Sequence, residues 1–124
     1  MSDFNESDLR TTVELLELLR KYQVYKGFSG TDYRIAKVLG VTPQTVGKYF
    51  QHGVIISDET AMNLAAELNL PPSYVLLCAW HERNKNQETK DVIKDIAAKY
   101  MKVSVFLFAF TVIFNTFTLL HNFT

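Results

Sequence analysis

Residues Thr31 to Gly53 read TDYRIAKVLGVTPQTVGKYFQHG, and this stretch decides the fold. Two short helices are legible in it. Thr31 offers an N-cap hydroxyl, and Ile35, Ala36 and Leu39 follow at helical spacing, which predicts a helix over residues 32–39. Gly40 ends it. Thr42-Pro43 opens a second helix: a capping hydroxyl, then a proline at the first helical position, where a missing N–H is harmless. That helix spans residues 43–51 and stops at Gly53. Two short helices joined by so tight a turn must cross steeply. Ala36 is small where they approach. Gly40 stands where the turn needs a left-handed backbone. Ile35, Leu39, Val41 and Val46 point into a shared core, and Tyr49 closes the far end of the second helix.

Working outward, the flanks are helical too. Thr11-x-x-Glu14 is a capping box, and Val13, Leu15, Leu16, Leu18, Leu19 and Tyr22 form a broad apolar stripe over residues 12–25. Gly27 and Gly30 break that helix. Ser57, followed by Asp58 and Glu59, starts a helix over 58–69, with acids at the positive end of its dipole. Pro71 and Pro72 separate it from a helix over 72–84. The polar run from Asn84 to Lys90 reads as a hinge or linker, and a last helix is expected near Asp91. The fold class is therefore all-α.

Composition sets the outer bounds. The chain has 124 residues, a length for one domain with an appendage, and 13 basic against 13 acidic residues. Zero net charge excludes a strongly basic nucleic-acid coat and an acidic tail. One cysteine, Cys78, excludes an intrachain disulfide and fits a reducing compartment. The polar start, Met1 to Arg10, lacks the apolar region of a secretory signal.

The spacing of Ala36, Gly40, Val41, Val46 and Tyr49 resembles the helix-turn-helix of the lambda repressor and Cro family. One helix before the unit and two after it agree with the family's five-helix, repressor-like domain. The segment DETAMNLAAELNLPPSYVLLCAWHER, residues 58–83, looks like the tail of a small phage-associated group of such proteins, a group without an assigned function. The resemblance implies a sequence-specific transcriptional regulator of phage origin whose partner is double-stranded DNA. It places the helix at 43–51 in the major groove, with Thr42, Gln44 and Thr45 at base edges. Glutamine in that place pairs bidentately with adenine. Gly47 permits close approach, and Lys48 and Gln51 lie further along toward phosphates. Tyr33, Arg34 and Lys37 on the preceding helix set register through the DNA backbone. His52 lies within reach of a phosphate. Pro43 departs from the polar residue more usual in the family and offers no side-chain donor or acceptor for a base contact there.

Charge points the same way independently. From Arg20 to Gly53 there are six basic residues (Arg20, Lys21, Lys26, Arg34, Lys37, Lys48) against Asp32 alone, a net +5 in a neutral chain. Binding phosphates requires local positive charge rather than a basic whole. The same bundle also suits a small membrane protein that meets other proteins without touching DNA.

The charges stop at Lys102. From Val103 to Thr124 there is no Lys, Arg, Asp or Glu, and six of the nine phenylalanines lie there. Residues 103–123 are read as a transmembrane helix, since about 20 apolar residues cross a bilayer core about 30 Å thick. Lys94, Lys99 and Lys102 precede it and only His121 follows, so the positive-inside rule keeps the N-terminal part in the cytoplasm. The division expected is a DNA-binding domain at 1–84, a linker and juxtamembrane helix at 85–102, and an inner-membrane anchor at 103–123. Val103, Val105, Phe106, Phe108, Phe110, Val112 and Ile113 would also suit a strand, but nothing else in the chain reads as its partner. Ser104, Thr111, Asn115, Thr118 and Asn122 share one helical stripe and suit hydrogen bonds to a second copy, hence a homodimer.

Enzyme chemistry has little to stand on. There is no phosphate-cradling glycine loop and no His-Glu-x-x-His. Cys78 and His81 lie one turn apart, too few for a metal site, and Cys78 reads as half-buried. Glu14 and Glu17 form a solvated face rather than a catalytic pair. No nucleophile–base set is present, and no cofactor is expected.

Overall fold

The computed structural model describes residues 9–99. They form α1 (Thr12–Tyr25), α2 (Asp32–Leu39), α3 (Pro43–His52), α4 (Asp58–Leu68) and α5 (Pro72–Arg83), then further helix over residues 87–99, with no strand among the described residues. The helix starts follow the side chains. Thr11 Oγ1 accepts from Glu14 N at 3.2 Å while Glu14 Oε1 accepts from Thr11 N at 3.3 Å, closing the box at α1. Thr31, Thr42 and Ser57 accept from the backbone three residues on, at 3.3, 3.1 and 3.2 Å. Gly40, at φ 72° and ψ 30°, ends α2, and the Val41 N–H reaches back to the Ala36 carbonyl at 3.1 Å.

One core joins the five helices. Leu15, Leu16 and Leu19 of α1, Ile35 and Leu39 of α2, Val46 and Tyr49 of α3, Leu64 of α4 and Tyr74, Val75 and Cys78 of α5 are all buried in it. Val41 packs against this core from a half-buried position. α4 packs most extensively on α5 and α2 on α3, so the two short helices are held against a firmer platform. Asn63 of α4 donates to the Leu39 carbonyl at 3.1 Å and fixes the end of α2 to that platform. Glu82 of α5 accepts from both the N–H and the hydroxyl of buried Thr12, at 2.8 and 2.6 Å, tying the start of α1 to the end of α5.

Three expectations need adjusting. The linker is shorter than the polar run suggests, because Asn86 is an N-cap: its Oδ1 accepts from Thr89 N at 2.9 Å, and helix resumes at residue 87 rather than near Asp91. That helix also folds back. Ile93 and Ala97 bury against Leu77, and Lys90 Nζ donates to the His81 carbonyl at 2.6 Å. Tyr22, placed on the apolar stripe of α1, is 40% exposed, while Gln23 beside it is fully buried. Cys78 is 1% exposed rather than half-buried. The expected span at 103–123, with its stripe of Ser104, Thr111, Asn115, Thr118 and Asn122, lies outside the described residues. Among the described residues no helix is long and apolar enough to cross a membrane.

Candidate nucleic-acid interface

Burial of Val46 and Tyr49 fixes which way α3 faces, because residues three and four apart share a helix side. The opposite side carries Gln44, Lys48 and Gln51, all exposed and spaced four and three apart. Gly47 lies between them, and a Cβ built there would meet nothing within 4 Å. The outer face of α3 is thus open along a row of amide, ammonium and amide. No carboxylate occurs from Tyr33 through Ser57. His52, also exposed, ends α3.

Thr42 and Thr45 are less free than Gln44. The Thr42 hydroxyl caps the helix, and its oxygen lies 2.8 Å from the Thr45 hydroxyl. The pair holds the start of α3 in shape, so its hydroxyls are shared between the cap and anything that approaches. Thr42 is exposed and Thr45 half-buried.

On α2, Tyr33 and Lys37 are one turn apart and exposed, Tyr33 by 70%. Lys37 and Lys48 have no ion pair among the described residues. Arg34 is different. It is half-buried, its Nε donates to Gln23 Oε1 at 2.9 Å, and its guanidinium carbon sits 3.7 Å from the centroid of the Phe28 ring. The local +5 is unevenly spread. Arg20 pairs with Asp32 at 2.9 Å and lies over Phe50, and Lys26 stands 3.9 Å from Glu67. The uncompensated charge therefore concentrates on α2, α3 and Lys21.

The resemblance and the local charge single out Arg34, but neither names the residues that hold it. Gln23 follows Leu16 and Leu19 by seven and four positions, so its place on the buried row is visible. Phe28, in the break between α1 and α2, carries no sequence signal beyond its size. Among the described residues no cluster of three or more His, Cys, Asp or Glu gathers as a metal site. Comparison with family models, curated proteins and solved structures finds no match to the chain.

Proposed function

We propose that this chain is a sequence-specific DNA-binding transcriptional regulator of the lambda repressor and Cro type, of phage origin. The observation that carries the reading is the outer row of α3: Gln44, Lys48 and Gln51 exposed on one face, in a stretch free of carboxylates. The row suits a major groove, where Gln44 reads a base edge and Lys48 meets a phosphate. Thr42, Thr45 and Gly47 line the approach, Gln51 extends it, and Tyr33, Arg34 and Lys37 set register on the backbone. The charge-free segment 103–124, preceded by Lys94, Lys99 and Lys102, supports a membrane anchor that leaves the bundle in the cytoplasm. The polar stripe from Ser104 to Asn122 supports pairing of two copies, which would present two α3 helices to a two-fold site.

The test is retardation of duplex DNA by the full chain in detergent at rising salt. Lys48→Ala is expected to weaken all duplexes alike and lower the salt slope by about one. Gln44→Ala is expected to erase about 1–3 kcal/mol of preference at one base pair. Absence of retardation at low salt would move the function to protein contacts made by the bundle. Recovery of the full chain in the soluble fraction would overturn the anchor. An unchanged dimer fraction for Asn115→Leu in detergent would overturn pairing through the stripe.

A further inference from the structure

Gln23 is an unusual core residue. It is fully buried, its Oε1 accepts from Arg34 Nε at 2.9 Å, and its Nε2 has no partner. Turning the amide over would set donor against donor, so the oxygen must face Arg34 and the orphan nitrogen follows from that. A buried donor left unpaired is unfavourable, and an apolar residue of the same size would avoid it. Burial alone thus gives no reason for glutamine here.

Its partner supplies one. Three cations cluster at the junction of α1 and α2, and two stand beside carboxylates: Arg20 with Asp32, and Lys26 with Glu67. Arg34 alone is held by neutral groups, the Gln23 amide at one edge and the Phe28 ring against its face. Its distal Nη1 and Nη2 have no partner among the described residues. Glutamate at position 23 would grip the same Nε–H more strongly, but would cancel the charge. Glutamine orients the fork and leaves it cationic.

We propose that Gln23 is a positioning residue which, with Phe28, holds Arg34 pre-aimed and uncompensated for a DNA backbone phosphate. This rests on the DNA-binding reading. Arginine's planar fork suits phosphate oxygens bidentately, and a fork already fixed loses less freedom on contact.

Two substitutions separate orientation from charge. Gln23→Met frees the fork and removes the orphan donor. It is expected to weaken duplex binding by the full chain about two- to tenfold at an unchanged salt slope, without lowering the melting temperature. Gln23→Glu keeps the fork held but neutralises it. It is expected to weaken binding about tenfold and lower the salt slope by about one. A merely structural glutamine would show a lower melting temperature in Gln23→Met and no change of slope in Gln23→Glu, and that pair of results would overturn the proposal. Inorganic phosphate, followed on the Arg34 Nε–H resonance, reads the fork without any duplex. A shift in the wild type that is absent in Gln23→Glu upholds the held, uncompensated fork, and failure of the duplex to bind beside that shift would overturn the DNA-binding reading instead. No shift in the wild type overturns the proposal, whatever the duplex does.

Discussion

Asp58 opens α4 on the surface, yet two side chains of α5 converge on it. Arg83 donates to its Oδ1 at 2.6 Å and the Trp80 indole N–H at 3.2 Å. The Arg83 hydrogen bond and then the Trp80 one hold its carboxyl below the ordinary value of 3.8. A depressed carboxyl contributes stability above its unfolded value and loses it as pH falls through the folded one. The α4–α5 link is therefore intact at neutral pH and releases only below pH 3.8. Trp80 is the sole tryptophan, so its emission should report that release, and Asp58→Asn should abolish the acid step while leaving the neutral spectrum of a chain without the link. Gly40 makes a second residue-scale demand. Its φ of 72° is left-handed, and an added Cβ would come no closer than 4.0 Å to Asn63 Nδ2, so strain is the whole penalty. Gly40→Ala should cost about 1–2 kcal/mol in urea unfolding, and a cost near zero would mean the turn can shift.

At the scale of elements, helix starts are the legible part of this sequence. Thr11, Thr31, Thr42 and Ser57 each accept the capping bond their positions promise, because a short hydroxyl side chain has few other ways to satisfy a free N–H. Thr42→Ala should destabilise the bundle by about 1 kcal/mol in chemical unfolding. On the proposed DNA-binding reading it should weaken duplex binding as well, since Thr42 shapes the start of α3. The restart at Asn86 is harder to read. Its cap lies among Lys, Gln and Thr, and the helix it opens shows no apolar pair until Val92 and Ile93. Only a narrow strip, Ile93 and Ala97, finds cover against α5. The outer face of α3 follows from the spacing of Val46 and Tyr49. The clamp on Arg34 does not, because Gln23, Phe28 and Arg34 lie on three segments that only the tertiary fold brings together.

Across the whole molecule, the chain is closed by a contact between residues seventy positions apart. Glu82 takes both donors of Thr12, and Thr12 is buried, so removing the acceptor strands two groups at once. Glu82→Ala should cost about 1–3 kcal/mol in thermal or chemical unfolding, a much larger effect than for the exposed Glu59. Cys78 offers a label-free check on such losses. Burial pushes its thiol up to about 11, and it is 1% exposed, so a disulfide reagent at neutral pH should react only as the bundle opens. The logarithm of its rate should rise in Glu82→Ala and Gly40→Ala in proportion to their lost stability. The same closure has a mechanical side. Tension applied at residue 99 enters α5 through the Lys90–His81 bond and the Ile93–Leu77 contact, and Glu82 hands it to Thr12 and α1. α2 meets that line where α1 carries it, through Gln23–Arg34 and Arg20–Asp32, and α4 meets it at Asp58–Arg83. A pull on the C-terminal side is therefore taken first by α5, α1 and α4, and it reaches the pair proposed to read DNA through the contacts those helices make with it.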